Sequence, residues 1–460
     1  MSLSRIVMCE SRPWNGLTLF PCRYGRVWIK NWIYSDEENI KGGYEKVFRY
    51  DKEKMNLSEI DIGPDKYQIS DYRETEDFLY LVRKLSLLND DREPDIKSLS
   101  LVKIDVKNGF LQELICFDSY PKPIKYIDIT KIFNDRYVLL EVTYYNEEGN
   151  DDTRRNSVLV FDIVNEKLTE LIDDTEDEFY EYSYGMYVRK NRKYFFLVHG
   201  EEKKFDDDLQ INQPEIEIFE MDDFTCTLIP ESRRLIELPK EKYWTFDKIT
   251  ENGRLLFKCK VYEPEDQTET SLVEFDVENE NSNTICAFEK GFNIKSTFYK
   301  DNYVYAIIDN SSHVSDNDVQ YFKNNKYRSM IVKSTLKGNV ENCKCFDLNV
   351  NEEVELFCFN VFDDKVAVFR TYDEEEVDGY SKRIQKVYTY DMEKQISKCI
   401  YTTYDCESDP YAYVTSGRDK TLVYIIDMLP ESNLKKNLEL YSKYNLAPLT
   451  PEMIFEFELD

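Results

Sequence analysis

The chain has 460 residues, with 60 Lys and Arg against 90 Asp and Glu, a formal net charge of −30 and a pI near 4.6. Such an excess of carboxylates repels phosphate backbones and anionic lipid surfaces, so nucleic acid and membrane are excluded as expected partners. At 42% hydrophobic and 14% aromatic residues there is material for a large packed core, which excludes a globally disordered chain.

The N-terminus offers one Arg, the apolar run Ile6 to Cys9 and then Glu10, which lacks the apolar centre of a secretory signal. No stretch approaches the roughly 18 apolar residues of a membrane-spanning helix. A cytoplasmic location is expected. The eleven cysteines are an odd number, scattered singly except for the C-x-C of Cys343 and Cys345. They fit a reducing compartment and are expected to be small buried hydrophobes.

Short runs rich in β-branched and aromatic residues begin with LTLFPC, RVWIKNWIY and VFRYD. Pairs of such runs follow: YQISDYR and FLYLVRKLSLL, IKYIDITKI and YVLLEVTYY, EFYEYSYGMYV and KYFFLVH, YWTFDKIT and RLLFKCKVY. IKSTFYK and YVYAII, LFCFNVF and KVAVFRTY, and PYAYVTSG and TLVYIIDML complete the series. Asn, Asp, Gly and Lys punctuate them, the mark of strands. After each pair comes a hairpin-like segment: KVFRYDKEKMNLSEI, SLVKIDVKNGFLQELI, VLVFDIVNEKLTELI, IEIFEMDDFTCTLI, LVEFDVENENSNTICAF, IVKSTLKGNVENCKCF and VYTYDMEKQISKCI. Indexed on the residue before the turn, these fall at Asp51, Asp105, Asp162, Glu220, Asp276, Ser334 and Asp391, at spacings of 54, 57, 58, 56, 58 and 57. At the end, LELYSKY and IFEFELD read as the third and fourth strands of a last unit.

Each repeat therefore holds four strands, and a four-stranded sheet cannot bury both faces alone. Stacking such sheets radially buries them. On period and hairpin pattern the chain resembles the β-propeller superfamily over nearly its full length, WD40-like in outline but matching no specific family. Repeated Trp-Asp, a Gly pair in every blade and Ser-x-Asp-x-Gly-x-x-Trp boxes do not recur, and Tyr243-Trp244-Thr245-Phe246 is similar to a YWTD motif only once. The resemblance implies one all-β domain over residues 1–460. Eight blades are expected, with seven as the alternative, and SRIVMCE or IFEFELD would close the ring.

The acid before each turn reads as an Asx cap of the hairpin, with Ser334 as its substitute. First strands would line an axial channel, and they carry Asp71, Asp128, Glu181, Asp247, Lys295 and Asn360. That set could hold a Ca²⁺ ion, although water fills such a channel in any case and plain hydration of these side chains is the simpler reading. Asp309, Asp316 and Asp318 lack the Gly and Glu of an EF-hand loop. Two histidines, His199 and His313, are too few for a zinc site. Nucleophile elbow and phosphate-binding Gly motifs are missing, so no catalytic residue is nominated.

Second-to-third connections read as long and acidic: Asp36 to Glu38, Asp90 to Glu93, Glu147 to Arg155, Glu201 to Glu215, Glu263 to Glu269, Asp309 to Arg328 and Asp373 to Lys386. Summed over eight such segments they hold a net −15 of the −30. The first expectation is a binding scaffold that offers this face to a protein, a basic surface being the physically matched partner. The alternatives are a hydrolase or lyase for carbohydrate or another small ligand at the channel mouth, and a structural Ca²⁺-bound ring. Oligomeric state is not legible.

Overall fold

The computed structural model describes residues 3–7, 15–20, 27–33, 44–51, 56–64, 66–88, 94–122, 124–144, 155–173, 183–189, 192–199, 215–222, 225–239, 242–249, 254–261, 269–288, 292–300, 302–310, 329–336, 340, 343–348, 353–362, 366–377, 380–402, 411–416, 421–428 and 452–459.

Strand β1 is Leu3–Val7. Next come β2 (Asn15–Phe20), β3 (Val27–Ile33), β4 (Tyr44–Asp51) and β5 (Asn56–Ile60), followed by β6 (Gln68–Glu74), β7 (Phe78–Leu88), β8 (Pro94–Asp105) and β9 (Leu111–Cys116). The third group is β10 (Ile124–Phe133), β11 (Tyr137–Tyr144), β12 (Arg155–Asp162) and β13 (Lys167–Asp173). The fourth is β14 (Ser183–Arg189), β15 (Arg192–His199), β16 (Glu215–Met221) and β17 (Arg234–Glu237). The fifth is β18 (Tyr243–Ile249), β19 (Leu255–Val261), β20 (Glu269–Asp276) and β21 (Asn281–Phe288). The sixth is β22 (Asn293–Lys300), β23 (Tyr303–Asp309), β24 (Ser329–Thr335) and β25 (Lys344–Asp347). The seventh is β26 (Glu353–Phe362), β27 (Val366–Val377), β28 (Tyr380–Asp391) and β29 (Ile396–Thr402), before β30 (Tyr411–Ser416), β31 (Thr421–Met428) and β32 (Glu452–Leu459).

Among the described residues these strands pair into eight four-stranded antiparallel sheets, seven of them in simple chain order. The eighth runs β30-β31-β32-β1, so the last strand of the chain is hydrogen-bonded to the first, with Ile6 opposite Phe455. The chain sorts into two compact units, Met1–Asp177 with Thr403–Asp460, and Glu178–Thr402.

Within each unit the sheets pack face to face, because their middle strands are apolar on both sides. On β7, Leu79 and Leu81 join Trp28, Val47 and Ile60 of the preceding sheet, whereas Tyr80 and Val82 join Ile127, Ile129, Val138 and Leu140 of the following one. In the second unit Leu255 and Phe257 of β19 pack with Phe196, Val198 and Ile218, while Leu256 packs with Val304, Ala306 and Ile308. Alternate residues of a strand point to opposite faces, so a strand covered on both reads as an unbroken apolar run such as YVLLEV. Each fully buried Leu or Phe is worth about 2 kcal/mol of transfer free energy, which makes a neighbouring sheet a condition of each sheet's stability.

The structure corrects three expectations of topology. IFEFELD is the third strand of its sheet, since β32 pairs with β31, and β1 takes the fourth place. LELYSKY lies outside the described residues. In the fourth group the return strand is Arg234–Glu237 and not TCTLI, which keeps only an isolated Met221–Leu228 bridge. Pro230, which opens a 3-10 turn over Pro230–Ser232, has no N–H for the ladder and so ends the hairpin early. Finally, 373–386 is not an open loop: β27 and β28 continue through it as a ribbon, Glu374 opposite Arg383 and Glu375 opposite Lys382, with only 378–379 outside the strands.

Candidate functional site

The acids before the turns serve as caps, and the repeat can be read in their bonds. Asp105 Oδ1 accepts the N–H of Lys107 at 2.7 Å and of Asn108 at 3.3 Å. Asp162 accepts Val164 at 3.0 Å and Asn165 at 3.3 Å, Asp276 accepts Glu278 at 3.0 Å and Asn279 at 3.4 Å, and Asp391 accepts Glu393 at 3.0 Å and Lys394 at 2.9 Å. The fourth residue after each acid is left-handed: Gly109 at φ 74°, Glu166 and Glu280 at 50° and Gln395 at 55°. This is a turn with a bulge, in which one residue per hairpin must take positive φ.

Two positions of the sequence index are wrong. Glu220 instead pairs with Arg192 at 3.0 Å, and the cap of its hairpin is Asp222, which accepts the Thr225 N–H at 2.7 Å and has left-handed Cys226 four residues on. Ser334 is not a cap, since its hydroxyl is buried with no hydrogen-bond partner, and it is the next residue, Thr335, that lies opposite the first residue of β23.

Burial alone works to raise the Asp162 and Asp276 carboxyls. Arg136, at 3.0 Å, with the Asn165 and Val164 N–H groups outweighs it at Asp162, and Asn279, the Glu278 and Asn279 N–H groups and Arg254 do so at Asp276. Both are held below the usual range. Lys394, bonded at 2.9 Å, does the same for Asp391.

The first-strand residues are placed by bulges. Asp247 and Lys295 are themselves the extra residues, between Phe246 and Lys248 and between Ile294 and Ser296, and Asp71 directly follows another. An extra residue leaves the ladder and turns its side chain aside. Asp71 accepts the Ile129 N–H of β10 at 2.6 Å, with Arg73 at 3.4 Å. Asp247 accepts the Thr297 hydroxyl of β22 at 2.5 Å and the Tyr299 hydroxyl, while Lys258 stands 3.0 Å from its other oxygen. These two carboxylates thus join the first strand of one sheet to the first strand of the next. Burial, then the charge and bond of Asp247, hold the Tyr299 phenol well above its usual range. Burial, then Asp71 and Glu141, raise the Asp128 carboxyl against the pull of Arg73. Lys295 lies 3.7 Å from buried Asp309. Asn360 sits on β26; Glu181, Asp316, Asp318 and His313 lie outside the described residues, and His199 ends β15.

Other polar links were not foreseen. Arg83, in the apolar run FLYLVRKL, is buried at 6% exposure. It donates to the Ile62 carbonyl at 2.7 Å and Ser100 at 2.8 Å, pairs with Glu113, and stacks on Tyr67 at 4.3 Å. The only hint was a charge where the strand pattern wants an apolar side chain. Buried Glu45 receives the Ile69 N–H and Lys30 at 2.8 Å. Among the described residues the cysteines divide: Cys226, Cys259 and Cys286 are buried as expected, but Cys116, Cys345 and Cys399 are exposed, each on the fourth strand of its sheet.

Among the described residues no group of three or more His, Cys, Asp or Glu could hold a metal ion, and no helix is long and apolar enough to cross a membrane. Four-stranded antiparallel sheets that follow one another in the chain, and pack face to face within each unit, are blades of the propeller type. The chain is all-β and of the β-propeller class; no family model and no curated protein matches it. Solved structures similar to it include the Pyrococcus horikoshii acylaminoacyl peptidase, at 10% identity and a TM-score of 0.44 over 92% of this chain and 60% of that one. The WD40 domain of SCAP from fission yeast is similar at 8% identity and a TM-score of 0.45, over 99% and 94%. The chain spans about 60% of the peptidase structure. Both scores lie below 0.5, so the class rests on strand order and pairing.

Proposed function

We propose that residues 1–460 form a single eight-bladed propeller that works in the cytoplasm as a binding scaffold, with its second-to-third connections as the surface offered to a protein partner. One observation carries the reading. The turns between first and second strands and most of those between third and fourth are short, as at 134–136, 163–166, 277–280 and 392–395, whereas most second and third strands, β7–β8 and β27–β28 excepted, are joined across longer spans such as 34–43, 145–154, 200–214, 262–268 and 310–328. Insertions collected at one end of a repeat array favour a binding face.

Supporting the single ring, the repeat runs on at its own spacing through residues 177 and 402, and pairing β1 to β32 removes an exposed edge. These connections hold a net −10 of the −30, so the matched partner is basic and its association is speeded by low salt. The test is a pull-down from native lysate with the wild-type chain and with a variant carrying Glu201→Gln, Glu202→Gln, Asp206→Asn, Asp207→Asn and Asp208→Asn. Proteins held by the wild type and lost from the variant support the reading; equal recovery, or no partner, refutes it.

A further inference from the structure

Three thiols meet where two neighbouring sheets of the second unit pack. Cys286 lies on β21 opposite Leu272, buried at 1% exposure. Cys343, just before β25, packs partly buried against the apolar cluster that contains Cys286. The Cys343 thiol interacts with Cys286 on one side and with Cys345 on the other. Cys345, on β25 opposite Val332, is exposed. A line of three sulfurs therefore leads from solvent into the joint between two sheets, and none of the three is in a disulfide.

We propose that this trio is a thiol-oxidation site: a low-molecular-weight disulfide of the glutathione type reacts at Cys345 and leaves a disulfide between Cys286 and Cys343, joining β21 to the residue just before β25 of the next sheet. The order of attack follows from exposure. The bond to Cys286, with burial, pushes the Cys343 thiol up to about 12 against the opposite pull of Cys345, so Cys343 is no opening nucleophile.

The Cys345 thiolate attacks one sulfur of glutathione disulfide. The S–S bond breaks, and the first glutathione leaves and takes up the proton that Cys345 gave. Cys343 Sγ then attacks Cys345 Sγ, the bond to glutathione breaks, and the second glutathione departs with the Cys343 proton. Last, Cys286 Sγ attacks Cys343 Sγ and Cys345 leaves as a thiol with the Cys286 proton. Two protein thiols are oxidised and one glutathione disulfide is reduced to two thiols, with no further reactant.

The test incubates the reduced, folded full-length chain with glutathione disulfide, blocks remaining thiols, digests without reduction and maps the linked peptides by mass spectrometry. The expected major product is the Cys286–Cys343 link. Cys345→Ser, at an exposed position, forms that link at least tenfold more slowly, and Cys286→Ser accumulates the Cys343–Cys345 loop. Glutathione retained on Cys345 alone, a link from Cys286 to any residue but Cys343, or an unchanged rate in Cys345→Ser overturns the proposal.

Discussion

Asp71 on β6 accepts the backbone N–H of Ile129 on β10 at 2.6 Å, a charged hydrogen bond from one sheet to the next. Charge-assisted bonds are about twice as strong as neutral ones, and removing the acceptor strands a donor inside the joint. Asp71→Ala should lower the unfolding free energy by about 2 kcal/mol, and Asp71→Asn, which keeps an acceptor oxygen, should recover about half of that. Denaturant midpoints of the three chains check it. An alanine variant as stable as wild type would show that the bond contributes nothing.

The left-handed residues give a prediction of opposite sign. Glu166, Glu280 and Gln395 sit at φ 50°, 50° and 55°, where Gly109 stands in the second group at 74°. A side chain at positive φ costs about 1–2 kcal/mol that glycine does not incur, against glycine's greater loss of chain entropy. Glu166→Gly and Gln395→Gly should each stabilise by about 0.5–1 kcal/mol. Thermal unfolding decides this, and a fall in Tm for both would contradict the turn geometry.

Acid and alkali should act through different residues. Asp162 and Asp276 have depressed folded-state values, so their contribution is complete above the unfolded carboxyl value near 3.9 and is lost as the pH falls through the folded values. Urea midpoints should drop steeply below about pH 4 in the wild type and more shallowly in the Asp162→Asn, Asp276→Asn double variant, which is also weaker at pH 7. Burial first, then Tyr194, raises Tyr187 to about 12. Its contribution is complete below pH 10 and lost as the pH rises through about 12, so Tyr187→Phe should flatten the alkaline decline. Parallel curves for variant and parent would remove these groups from the account.

Gly63 exists for Arg83. At φ 105°, with Arg83 Nη1 only 2.6 Å from where a Cβ would stand, no other residue fits without moving the guanidinium. Gly63→Ala should cost about 2 kcal/mol through strain and loss of that seat. Arg83→Met should cost a similar amount, about 2–3 kcal/mol, by leaving the Ile62 carbonyl and Ser100 without their donor. If the two losses were fully additive in the double variant, the residues would be independent and the pairing refuted.

Strand number, repeat and hairpin caps were legible in the sequence because they rest on local chemistry: β-branched runs, an Asp two residues ahead of the N–H it accepts, a turn after it. What was not legible depends on register and on neighbours. A spacing rule alone placed the fourth cap on Glu220, two residues early, because the longer 222–233 connection with Pro230 shifts that hairpin. The same rule gave Ser334 a role its buried, unbonded hydroxyl does not have. Asp71 and Asp247 were picked out as polar residues on first strands, but their partners Ile129, Thr297 and Tyr299 lie about one repeat away, beyond any local signal.

The most direct measurement is a hydrogen-exchange footprint of the chain bound to a partner recovered from native lysate. The account predicts protection gathered in 34–43, 145–154, 200–214 and 262–268 and weakened by salt, with 106–110, 163–166, 277–280 and 392–395 unchanged. Protection confined to those four short turns would contradict it.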